Sequence, residues 1–128
     1  HEIVFDHVNF SYGSRPILKD VSLTIPDRTT TAIVGPSGSG KTTLCNLIAR
    51  FWDVDGGRVT IGGRDVREYT LESLMEQVSM VFQRVYLFAD TVENNIKFGC
   101  PDATHEQVVE VAKKGVLPRL YLRPAGWI

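Results

Sequence analysis

An α/β fold, part antiparallel β-meander and part incomplete parallel sheet with helices, is what the 128-residue sequence predicts. Three observations carry the prediction. Residues 3–26 alternate between apolar and polar side chains on either side of a turn, as two antiparallel strands do. Residues 29–51 run from a β-branched stretch through a glycine-rich segment into a helical period. Beyond residue 64, short apolar runs alternate with segments of helical spacing.

The elements follow in order. IVFDHVNFSY (3–12) carries β-branched and aromatic side chains in an imperfect alternation, the mark of a half-buried strand, and Gly13-Ser14-Arg15-Pro16 reads as the turn after it. ILKDVSLTIP (17–26) is a second alternating strand, closed by Pro26-Asp27, and TTTAIV (29–34) a third that ends in glycine. From Lys41 to Phe51, Leu44, Leu47, Ile48 and Phe51 fall on one helical stripe. Gly56-Gly57 and Gly62-Gly63 bracket a short strand, RVTI. Leu71–Glu76 is a short helix with Thr70 placed to cap it. VSMVF (78–82) reads as a buried strand delivering Gln83 to a loop. Helices are expected over Thr91–Phe98 and His105–Lys114.

Bulk properties exclude several classes of function. A formal charge of −1 and a pI near 6.3 give no global attraction to nucleic acid or to an anionic membrane surface, so any anion site must be local. Cys45 and Cys100 have no metal-ligand or disulfide-framework spacing and read as inert thiols of a reducing compartment. His1, His7 and His105 fall at no useful ligand spacing. No apolar run approaches the roughly 18 residues that a membrane span needs. The absence of an initiating Met leads to the expectation that the chain begins inside a longer polypeptide.

The chemistry is concentrated in Gly35-Pro36-Ser37-Gly38-Ser39-Gly40-Lys41-Thr42, which meets the phosphate-loop pattern at every specified position, between a predicted strand and a predicted helix. The glycines let the backbone curl so that successive N–H groups face inward, and the helix that follows adds unsatisfied donors and a favourable dipole. Lys41 would extend to the β- and γ-phosphates. Thr42 would place its hydroxyl on a magnesium ion bridging them, and Thr43 would add a donor near the α-phosphate. The expected ligands at this point are a nucleoside triphosphate and Mg2+, on a P-loop NTPase fold.

The loop alone does not choose between kinases, GTPases, helicases and transport ATPases. Its flanks do. With Tyr12 in NFSYGSRPILKDVSLTI upstream of GPSGSGKTT, and Gln83 in VSMVFQ downstream, the chain resembles an ATP-binding-cassette (ABC) nucleotide-binding domain. The resemblance assigns Tyr12 to stacking on adenine, against the plainer reading of a strand aromatic in the core. It brings Gln83 to the magnesium and the attacking water, as the catalytic residue of this set. VYLFADTVENNI (85–96) resembles the exporter-type branch, in which a permease precedes the ATPase. Tyr86, Leu87 and Phe88 are then either a contact surface for that membrane domain or packing within the helical part. Arg84 departs from the acidic or amide residue more usual there. No Asn-Lys-x-Asp base-reading motif favours a GTPase.

The resemblance implies a transmembrane permease domain and a second nucleotide-binding domain as partners, no nucleic acid, and a place on the cytoplasmic face of the membrane. It also implies features these residues lack: an apolar strand ending in Asp-Glu, a histidine beyond it, and a Leu-Ser-Gly-Gly-Gln-like signature. The expectation is therefore ATP binding by the ATPase part of an exporter, with a non-hydrolysing nucleotide-binding or interaction fragment as the alternative for these residues alone. Residues 1–114 form the family-like part, and 115–128 an aberrant tail. With suitable wobble bases, DNA encoding GVLPRLYLRPAGWI can encode ACCHDFIYALPDGY when read one base later, and the second string resembles the family's continuation. A frameshift near Lys114 is the expectation, to be checked on the coding DNA.

Overall fold

The computed structural model describes residues 1–84 and 86–115; the expected tail beyond Gly115 lies outside the described residues. The chain divides into a first compact unit ending at Val81 and a second beginning at Phe82.

The first unit is built on a four-stranded antiparallel sheet in the order β2-β1-β3-β4, with β1 Ile3–Tyr12, β2 Arg15–Ile25, β3 Gly56–Ile61 and β4 Arg64–Asp65. Around His7 the central strand β1 carries one extra residue against both neighbours: Phe5 faces Leu23 and Val59, but Val8 faces Val21, and Asn9 faces Gly56; beyond Val8 the register with β2 shifts back, Phe10 facing Leu18 and Ser11 facing Pro16. This bulge explains the imperfect alternation of the sequence. Phe5 is buried on one parity, and Val8 and Phe10 on the other, because His7 adopts a left-handed φ of 48° and shifts the strand by one place. Gly57 is required opposite it. Its φ is 73°, and a Cβ there would lie 2.3 Å from the His7 carbonyl oxygen. Asn9 stitches the bulge, its amide donating to the His7 carbonyl at 3.2 Å and its Oδ1 accepting from the Asp20 N–H at 3.0 Å.

Helix α1 (Lys41–Ile48) lays Leu44 and Leu47 against Phe5, Val8, Phe10, Leu18, Val59 and Ile61 to form the core. It stops short of the expected Phe51. Arg50 takes a φ of 54° and turns the chain out of the helix, which leaves Phe51 49% exposed instead of on the buried stripe. Helix α2 (Leu71–Gln77) starts where the Thr70 hydroxyl accepts from the Ser73 N–H, as expected, and buries Leu74 in the same core.

Two expected strands are corrected. Residues 29–34 and 78–82 form no strand, with Val34 88% and Val81 98% exposed. Every described pairing belongs to the antiparallel meander, so neither segment has a parallel neighbour to complete a ladder. An apolar run reports a tendency to be buried, whereas a strand needs a partner for its N–H and C=O groups.

The second unit contains α3 (Val92–Lys97) and α4 (His105–Lys114), within the spans expected from sequence. Val108 and Ala112 of α4 are buried. Phe88 stacks on Phe98 with centroids 4.5 Å apart, and the Asn95 side chain bonds both the N–H and the carbonyl of Phe88. No helix among the described residues is long and apolar enough to cross a membrane.

Candidate functional site

The segment Gly35–Thr42 joins the irregular chain after β2 to α1, and its shape follows from its glycines. Gly38 and Gly40 have φ of 80° and 92°, values that cost L-residues strain. Gly40 also sits tight against β2: a Cβ would come within 3.0 Å of Leu18 Cδ2 and 3.3 Å of Ile17 Cγ2. The Ser39 N–H donates to the Pro36 carbonyl at 3.2 Å and closes the turn. The Lys41 ammonium folds back over the loop, donating to the carbonyls of Gly35 and Pro36, each at 2.7 Å, with Ser39 Oγ at 3.4 Å. A positive charge is thereby held on the loop itself.

Electrostatics at the start of α1 point the same way. Its N-cap is Gly40, no side chain caps its first turn, and no acidic residue occurs there. Leu44 N–H makes the first helical bond, to the Gly40 carbonyl at 3.0 Å, so the amides before it keep their donor capacity and the positive end of the dipole is not offset. Together with Lys41, this arrangement fits a polyphosphate, whose oxygens are acceptors carrying negative charge. Gly35, Pro36, Ser37, Gly38 and Ser39 are exposed, as is Thr42, whose hydroxyl is a hard oxygen ligand of the kind magnesium takes. Among the described residues no cluster of three His, Cys, Asp or Glu is placed to hold a metal.

Thr43 is 5% exposed, and its hydroxyl donates to the Tyr12 hydroxyl at 3.4 Å; the Asn46 amide reaches the same oxygen at 3.5 Å. Tyr12, at the end of β1, is half-buried. Its ring packs edge-on with Phe10, centroids 4.8 Å apart, and with Trp52, centroids 5.4 Å apart. The structure thus brings Tyr12 to the helix that opens on the loop. Gln83 stands in the second unit, exposed, within irregular chain. Tyr86, Leu87 and Phe88 are exposed as well, Tyr86 edge-on to Phe88.

Asn46 and Trp52 were not singled out by sequence. Asn46 lies three residues after Thr43 on the same helical face, a spacing that would have flagged it once Thr43 was assigned. Trp52 lies beyond the helix, and its approach to β1 is a tertiary fact without a local signal.

The chain matches the family model described as ABC transporter over residues 18–122. It belongs to that family. Its fold is accordingly that of the P-loop NTPases, here with a mixed α/β content. Over 114 residues the chain is 54% identical to the mitochondrial iron-sulfur clusters transporter ATM1 of Gibberella zeae, which covers 88% of this chain and 16% of that protein. It is 49% identical over 111 residues to the ATP-dependent lipid A-core flippase of Desulfotalea psychrophila, 87% of this chain and 19% of that one. A solved bacterial Atm1-family ABC exporter with ATP bound superposes with a TM-score of 0.92 at 36% identity, over 97% of this chain and 22% of that chain. This ABC chain therefore spans 16% to 22% of the length of these relatives, and the two named Atm1-type proteins among them are exporters or transporters by their names.

Proposed function

We propose that this chain binds Mg-ATP through Gly35–Thr42 as part of the ATPase domain of an exporter that couples ATP hydrolysis to transport across a membrane. The observation that carries the reading is the start of α1, left without a cap or an acidic residue, with the Lys41 ammonium held 2.7 Å from two loop carbonyls. Those carbonyls hold the lysine only until a phosphate oxygen offers a charged acceptor in their place. The loop amides would hold the phosphate oxygens, Lys41 the β- and γ-phosphates, and Tyr12 the adenine. Thr42 and Gln83 would be the magnesium ligands, with Gln83 also orienting water. Magnesium, when bound, neutralises charge on the β- and γ-phosphate oxygens. The permease, a second nucleotide-binding domain and the cytoplasmic face of the membrane belong to the same proposal, supported by the exporters that the chain resembles.

A binding-only role is the second reading for these 128 residues by themselves, favoured by the absence of an Asp-Glu pair after an apolar strand. Labelled-ATP binding with magnesium, followed by phosphate release, separates the two. Lys41→Ala is expected to weaken binding by a factor of about 100 or more, since it removes a charge-assisted partner of the phosphates. Undiminished affinity in that variant overturns the loop assignment. Phosphate release by the unaltered chain above the Lys41→Ala background overturns the binding-only role.

A further inference from the structure

The aromatic residue that follows α1 has no place in the reading above, yet it is packed on the residue assigned to the base. Trp52 is 53% exposed, so its ring is half open to solvent while it packs on Tyr12 and Phe10. Its ring stands at 84° to that of Tyr12 with centroids 5.4 Å apart, and at 56° to that of Phe10 with centroids 6.3 Å apart. Phe10 in turn meets Tyr12 at 88° and 4.8 Å. The Tyr12 ring is thus flanked by two aromatic side chains in edge-to-face geometry, the arrangement that aromatic quadrupoles favour. Its hydroxyl has two long polar contacts of its own, with the Thr43 hydroxyl at 3.4 Å and the Asn46 amide at 3.5 Å. A tyrosine at a strand end has free rotation about two side-chain bonds. Here both its tip and its ring are restrained.

We propose that Trp52 is a positioning residue for base recognition: it holds the Tyr12 ring at the orientation in which a planar nucleobase stacks on it, and so sets how far the site prefers a nucleotide over a bare polyphosphate. The inference rests on the assignment of Tyr12 to the adenine. A platform ring that is already immobilised loses less rotational freedom when a ligand stacks, which is an affinity gain made without direct contact. Phe10 would act similarly, but it is 2% exposed in the core, so only Trp52 can be changed without opening that core.

The test uses the full chain and two probes, Mg-ATP and magnesium tripolyphosphate, titrated against the unaltered protein, Trp52→Ala, Trp52→Phe and Tyr12→Ala. Trp52→Ala is expected to weaken Mg-ATP about three- to tenfold, the scale of one aromatic pair, and to leave tripolyphosphate affinity within about twofold. Trp52→Phe is expected to restore most of the preference for ATP. Equal loss of both probes in Trp52→Ala marks a structural role and overturns the proposal, as does an unchanged ATP preference. Tyr12→Ala separates the two readings. If its ATP preference equals that of the unaltered chain, the assignment of Tyr12 fails; if Tyr12→Ala loses the preference and Trp52→Ala keeps it, only the role of Trp52 fails.

Discussion

Among the described residues, helix α1 and the three other α-helices begin in opposite ways. Helices α2, α3 and α4 each start with a threonine, Thr70, Thr91 or Thr104, whose hydroxyl accepts from an amide of the first turn, and each has a glutamate in that turn: Glu72, Glu93 or Glu106. In α4 the arrangement is reciprocal, the Gln107 side chain accepting from the Thr104 N–H at 2.9 Å. Helix α1 has a glycine cap, no capping side chain, no acid, and a lysine as its first residue. Capping and an acidic first turn stabilise a helix by satisfying donors and offsetting the dipole. Among the described α-helices both are withheld at α1 alone, so its first-turn donors and its dipole are not offset from within the helix.

The largest effect that would break the comparison is expected at Gly40. If α1 were an ordinary helix start, Gly40→Ala would be tolerated; with a φ of 92° and Leu18 Cδ2 3.0 Å from the new methyl, it should cost about 2–4 kcal/mol and weaken Mg-ATP binding as well. Denaturant unfolding of the variant checks the first part, and nucleotide titration the second. At the other kind of start, Thr104→Ala should cost about 1 kcal/mol with no change in nucleotide affinity. Faster hydrogen exchange confined to the first-turn amides of α4 is the readout, and any shift in nucleotide binding would break the contrast.

The smallest effect is one of acid. Hydrogen bonds from the Asn94 amide and then the Thr91 N–H hold the Asp90 carboxyl below the ordinary value of 3.8. A lowered folded value means that this contribution to the start of α3 is complete above the ordinary value and fades as pH falls through the lowered one. An NMR titration of the Thr91 and Asn94 amides should therefore show an inflection below 3.8 that Asp90→Asn removes, whereas the first turn of α1, which has no acid, should show none.

Much of this was legible in the sequence because it is local. The Thr70 cap stands one residue before helical spacing begins, the meander strands carry their alternation, and the phosphate loop is written in glycines whose conformations only glycine adopts easily, whereas Thr91, inside the expected helical span, is a cap. What failed was non-local. TTTAIV and VSMVF have the composition of buried strands, but composition does not supply a ladder partner, and among the described pairings neither finds one. Phe51 fits the helical stripe and is nevertheless turned out, because the chain reverses at Arg50, a residue type with no preference for a left-handed backbone. At the site, Tyr12 could be named from its flanking motif. The residues around it, Thr43, Asn46 and Trp52, come from chain 31 or more residues away, and only folding discloses that they meet Tyr12.

The additional residue in β1 has a consequence that reaches as far as the aromatic cluster. A strand without it would present Ser11, not Tyr12, on the side of the sheet that carries Phe5, since side chains alternate strictly. The phenol would then swing away from α1, and so from Thr43 and Asn46 on that helix. One inserted position, tolerated because Gly57 leaves room for the His7 carbonyl, is thus a setting of phase between the two ends of β1: it lets a single strand fill the core with its first half and deliver a ring to α1 with its last.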